Sequence, residues 1–339
     1  MFAIFRKKGR IAAAALALTA TVHSTPYALA ETTTLLNVSY DVSRELYKEI
    51  NPAFVRHAKA KGVDVSINQS HGGSSKQAMA VASGLEADVI TMNQSPDIDM
   101  LAQRGIVAAD WRDQFPHQAT PYTTTTVFLV RKGNPHNIQD WDDLTREGLQ
   151  VIVPNPKTSG NGRYTYVAAW GYALDKSGSE EQAKAFVRKL FANVPVLDGG
   201  GRGATTTFTQ RDMGDVLVTF ENEAILIAGE LGKDKFDIVY PSLSVDAAAP
   251  VAVIERTTQK RGTDALARDY LNFLYSKEGQ TIIARHYFRP RDKEVLAQFA
   301  DQYPEIRTFS VDTFLGGWDK VKQQHFADGA LFDQIMVNR

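Results

Sequence analysis

One feature constrains this chain more than any other. A short β-branched run passes into a helix across a turn of small and hydroxyl residues, and the step is repeated along the sequence. Residues 35–40 read as a strand, and residues 43–61 as a helix with Leu46, Ile50, Phe54 and Val55 near helical spacing. Residues 63–67 read as a second strand, 75–83 as a helix ended by Gly84, and 87–91 as a third strand. Further strands are expected at 124–130, 151–154, 194–197, 215–220 and 251–254. Helices are expected over 163–174, over 180–193, from Ala204 onward, and as one long helix over 264–284. Alternation of this kind builds an α/β fold of mostly parallel sheets with helices on both faces. A chain of 339 residues is long enough for about two domains. No Pro/Gly/Ser-rich linker separates them, so strands that cross between the domains should join them.

Four of the strand-to-helix steps share one chemistry. They are Tyr40-Asp41-Val-Ser43, Ser70-His-Gly-Gly-Ser-Ser75, Thr158-Ser-Gly-Asn-Gly162 and Gly199-Gly-Gly-Arg-Gly-Ala204. In a parallel α/β sheet these steps lie at the carboxyl edge of the strands, where ligands bind. A helix start offers unpaired N–H groups and about half a positive charge. Glycine lets a ligand approach that backbone. Several such starts aimed at one point hold an anion without a formal cation. The same residues also serve as plain N-caps and turns, so the pattern alone leaves both readings open.

Composition narrows the choice. The chain has no cysteine, which removes disulfides, thiolate catalysis and Cys-based metal sites. Residues 1–30 have the layout of a secretory signal peptide: Arg6, Lys7, Lys8 and Arg10, then an apolar stretch over 11–21, then Ala28-Leu-Ala30 before a cut. The stretch is too short to span a bilayer. Cleavage takes away four basic residues and no acidic one, so a net charge of −1 becomes −5 for residues 31–339. An acidic exported protein is a poor partner for nucleic acid, and net charge will not draw an anion to it.

Five segments closely resemble the periplasmic sulfate/thiosulfate-binding proteins of bacterial ABC importers. They run over residues 37–47, 69–77, 128–135, 154–161 with 168–171, and 200–205, with shorter matches at 214–217, 274–276 and 316–318. The resemblance implies a two-lobed binding protein (type II-like) that works with a membrane permease, as a monomer without a cofactor. It implies lobes of about 32–122 with 250–300 and of 123–249, with residues 301–339 packing back on them. It also implies an anion held in the cleft by the N–H groups of Asp41, Ser74, Gly160, Asn161 and Gly201 and by the Ser159 hydroxyl. Sulfate-selective members place a Trp donor where this chain has Phe220, and Asn161 stands in place of a Gly. Both departures are similar to the thiosulfate-binding branch, although Phe220 is also a plain core residue in kind. Asp41 should turn its carboxylate away from the anion toward neighbouring loops. Arg202 and Lys76 lie beside the loops, either at longer range from the anion or as solvated charges.

Two enzyme readings compete. Gly199-Gly-Gly-Arg-Gly-Ala204 fits a dinucleotide fingerprint, with Glu221 placed as a ribose-binding acid. It lies far from the start of the fold, and an exported protein is away from the cytoplasmic cofactor pool. His71-Gly-Gly is similar to an oxyanion-hole sequence, but no G-x-S-x-G elbow accompanies it. The seven histidines form no H-E-x-x-H motif.

Overall fold

The computed structural model describes residues 1–3, 32–231 and 234–337. Apart from its first three residues, the expected leader lies outside them. Two α/β lobes are each built on their own sheet. In the first, the order is Val251–Val253, Val89–Thr91, Thr33–Tyr40, Val65–Gly72. The last three run parallel, and Val251–Val253 is antiparallel to its neighbour. In the second, the order is Leu197–Asp198, Val151–Pro154, Val216–Phe220, Thr126–Arg131, Phe236–Val239. Its first three strands are parallel and the last two are antiparallel to their neighbours. The sheets are therefore mixed, with the parallel strands gathered where the strand-to-helix steps occur.

The chain passes between the sheets twice. Tyr122–Thr124 leads out of the first and Ala247–Ala249 leads back, and the two segments pair antiparallel. Arg289–Pro290 pairs on the other side of Tyr122–Thr124. Crossing strands thus replace a flexible linker.

Local chemistry moved several expected boundaries. The long helix over 264–284 is two helices, Asp264–Phe273 and Lys277–Arg285. Ser276 is extended and its hydroxyl accepts the Gly279 N–H at 3.1 Å, starting a new helix. Gly279 lies so close to the Phe273 carbonyl that a Cβ there would fall 2.1 Å from it. The expected strand over 194–197 shrinks to Leu197–Asp198, because Pro195 has no N–H to give a ladder. The second strand runs on to Gly72. Two helices begin three residues early, at Gly160 and at Gly201, so glycines occupy their first turns.

The last part of the chain is a strap that bonds the first lobe through Tyr303, to the Ala284 and Phe288 carbonyls, and packs its aromatic residues on the second. Thr308–Phe309 pairs with Ser244–Val245. Beyond it, His325, Phe326 and Phe332 pack against Tyr166 and Trp170 of the Gly160–Ser177 helix and Phe191 of Glu180–Ala192, with ring centroids 4.5–5.9 Å apart. Lys157 ties the strap from beneath, donating to the Phe326 carbonyl at 3.0 Å and the Asp333 carboxylate at 2.9 Å.

His325 is buried and shares a 2.9 Å hydrogen bond with the Tyr166 hydroxyl. Burial pushes its pKa down to about 4. An unfolded histidine takes up its proton near pH 6.5. Between those values the unfolded chain binds the extra proton, so stability is full above pH 6.5 and falls as the pH drops toward 4. The loss should amount to at most about 3 kcal/mol. Urea unfolding from pH 7 to 4 should show this slope, and His325→Phe should flatten it.

Candidate ligand-binding cleft

The four strand-to-helix steps meet between the lobes, main chain against main chain. A Cβ on Gly73 of the first lobe would lie 2.6 Å from the carbonyl oxygens of both Thr158 and Gly199 of the second. A Cβ on Gly200 would lie 2.3 Å from the Asp41 carboxylate and 3.5 Å from the Gly73 Cα. One on Gly201 would meet the Val42 side chain at 2.8 Å and the Asn161 amide nitrogen at 2.9 Å. Only glycine permits approach this close.

Helix geometry decides what these steps offer. Ser74, Gly160, Asn161 and Gly201 stand in the first turns of Ser74–Ala82, Gly160–Ser177 and Gly201–Thr209. Their N–H groups have no carbonyl partner within their own helices. Asp41 opens a short 3-10 turn at the end of the first strand. Ser159 is the N-cap of its helix; its hydroxyl accepts the Gly162 N–H at 3.4 Å and keeps its own proton to give. The structure therefore brings Asp41, Ser74, Ser159, Gly160, Asn161 and Gly201 to one cleft. Phe220 ends the strand Val216–Phe220 at the same edge; it is fully buried, edge-on to Tyr164 with centroids 5.8 Å apart.

Charged side chains near the cleft are engaged with one another. The Asp41 carboxylate accepts the Arg202 N–H across the lobes at 3.0 Å. Burial raises its pKa. The Arg202 guanidinium binds Glu45 at 2.7 Å and Glu223 at 3.1 Å. Glu223 is wholly buried, also accepts from the Thr205 hydroxyl at 2.6 Å, and is pushed by burial up to about 7. Two carboxylates thus hold the terminal nitrogens of the guanidinium, and a third accepts the main-chain N–H of the same residue, while the buried Nε–H of Arg202 has no partner. Lys76 stands exposed at the rim beside Gly199. On the opposite flank Asp97 accepts from Ser74, from Ser75 at 2.9 Å and from Gln94 at 2.8 Å, and faces Arg163 of the second lobe at 3.6 Å.

Asn93, Asp97, Arg163, Glu45 and Glu223 were not foreseen as neighbours of the site. Asn93 fills the space over Gly160, with its amide oxygen 1.8 Å from where a Cβ would stand. Nothing in their local sequence marks them, because each acts across tens of residues. The competing enzyme readings find their residues occupied. Glu221 is wholly buried and gripped by Arg289 at 2.7 and 2.8 Å. His71 bonds the Tyr40 carbonyl through Nδ1 at 3.0 Å.

Two α/β lobes joined by crossing strands, with helix starts converging in the crevice between them, define a periplasmic-type binding protein. The chain belongs to the family of bacterial extracellular solute-binding proteins, whose match spans residues 36–289. A thiosulfate-binding protein of Pseudomonas aeruginosa is 58% identical over 303 residues, covering 89% of this chain and 91% of the relative. A sulfate-binding protein of Escherichia coli is 52% identical over 303 residues, covering 89% and 92%. The solved structure of the sulfate-binding protein SubI from Mycobacterium tuberculosis matches with a TM-score of 0.79 at 34% identity, covering 87% of this chain and 99% of that one.

Gly73 has an ordinary φ of −57°, so alanine suits its backbone and conflicts only with the facing lobe. Gly73→Ala should keep the thermal unfolding midpoint while preventing the compaction on ligand addition that small-angle scattering would record.

Proposed function

We propose that this chain captures sulfate and thiosulfate in the periplasm and delivers them to the membrane permease of an ABC importer. Capture closes the two lobes over the anion, and no chemical reaction takes place. The observation that carries this reading is the meeting of four backbone steps in one cleft, beside a guanidinium that Glu45 and Glu223 hold by its terminal nitrogens. Such a cleft offers converging dipoles and N–H donors, which hold an anion without a formal cation in contact. The lobes are assigned as about 32–122 with 250–300 and about 123–249, following the two crossings, with residues 301–339 laid over them. The protein acts as a monomer and needs no cofactor. Names of relatives at 46–58% identity support sulfate and thiosulfate as the solutes. Another small oxyanion or a sulfonate on the same fold is the alternative.

A site made of donors also selects its guest. Sulfate and thiosulfate carry no proton near neutral pH, whereas phosphate does. A buried P–O–H without an acceptor loses roughly 1–3 kcal/mol. Phe220 offers no N–H, which suits the larger, softer sulfur of thiosulfate better than a fourth strong oxygen.

Calorimetric titration of ligand-free protein should show binding of both anions, with thiosulfate the tighter. Phe220→Trp should move the preference toward sulfate; an unchanged ratio would remove the ring from the site. Ser159→Ala should weaken both anions by about 1–3 kcal/mol. Binding of an organic solute alone would overturn the assignment to these anions.

A further inference from the structure

Asn161 has a side chain that backbone binding leaves unexplained. It is 1% exposed and stands in the first turn of Gly160–Ser177, at the cleft. Its Nδ2 donates to the Thr219 hydroxyl at 3.0 Å, while its Oδ1 is buried with no partner. The carboxamide is pressed against Gly201, whose Cβ would fall 2.9 Å from Nδ2. Thr219 is itself buried, and its hydroxyl proton meets no acceptor among the described residues. A buried acceptor without a donor is costly, and more so beside a dianion.

A half-turn of the carboxamide pairs Oδ1 with the Thr219 hydroxyl proton and leaves Nδ2 as the group in need of a partner. The Nδ2 hydrogens turn to the side that Oδ1 faced. A carboxamide has a donor end and an acceptor end, and a hydroxyl serves either. With an anion bound, this turned state satisfies every group: the hydroxyl gives to the amide oxygen, and the amide nitrogen gives to the anion.

We propose that the Asn161 carboxamide contacts the bound anion directly, with Thr219 orienting it, and supplies a side-chain donor in a cleft where Phe220 supplies none. This rests on the anion-binding reading above. Asn161 is then a specificity residue through its side chain as well as a backbone donor, and Thr219 is its positioning residue. Asn93 carries a second unpartnered Oδ1, but no neighbouring hydroxyl fixes its turn, so it receives no such assignment.

Asn161→Gly keeps the main-chain N–H and removes only the carboxamide. Calorimetry with sodium sulfate and sodium thiosulfate should show the variant ten- to hundredfold weaker for at least one anion, the range of a lost hydrogen bond to a charged group. Thr219→Val should give a smaller loss, since the amide remains but is no longer held. In the wild type, the Asn161 side-chain NH2 resonances, identified by their absence from the Asn161→Gly spectrum, should shift on anion addition. If Asn161→Gly does not fold, the wild-type resonances and Thr219→Val decide. Unchanged resonances, or affinities within twofold for both anions, overturn the carboxamide contact and leave the anion reading standing. A wild-type chain that binds neither anion overturns both.

Discussion

Everything in this molecule depends on main chains from two lobes approaching within van der Waals reach of each other. A side chain at Gly73, Gly160, Gly200 or Gly201 would collide with a facing carbonyl, carboxylate or carboxamide. Because those side chains are missing, the first-turn N–H groups of three helices reach one place. Peptide dipoles are fixed in direction by the helices that carry them, so little has to reorganise when a charge arrives. The sheets serve this geometry: each brings its parallel strands to a common edge, and the paired segments Tyr122–Thr124 and Ala247–Ala249 hold the two edges opposite each other.

The charged residues around the cleft stabilise the frame without entering it. Arg202 joins Glu45 of one lobe to Glu223 of the other, and its own N–H holds Asp41. Arg163 reaches across to Asp97 on the opposite flank. Breaking a buried pair of this kind leaves an uncompensated charge and costs about 3–5 kcal/mol. Arg202–Glu223 lies within the second lobe, whereas the contacts of Arg202 with Glu45 and Asp41 and of Arg163 with Asp97 cross between the lobes and belong to the energetics of closure.

The fold was largely legible because its signals are local. Strand and helix periodicity gave the alternation, and glycine-rich steps marked the cleft. Boundaries failed where a single residue chose the outcome. Ser276 starts a new helix inside a continuous helical pattern, and Pro195 shortens a strand. The early helix starts at Gly160 and Gly201 ran against glycine's low helix propensity; tertiary contact across the cleft, absent from any local window, overrode it. The strand-to-helix steps that meet at the cleft were visible for the same local reason as the fold, whereas the individual backbone donors within them came from the family resemblance. The site's side-chain partners were not visible: Arg202 lies 157 residues from Glu45, and Asn161 lies 58 from Thr219.

The strap bears on how the molecule is assembled. Lys157 anchors it and immediately precedes the step at Thr158–Asn161, while Tyr166, Trp170 and Phe191 lie beneath its aromatic residues. Without these covering residues the second lobe would present a bare aromatic face, and Lys157 would lose its tether, so the strap helps to fix the loop that leads into the first turn of Gly160–Ser177.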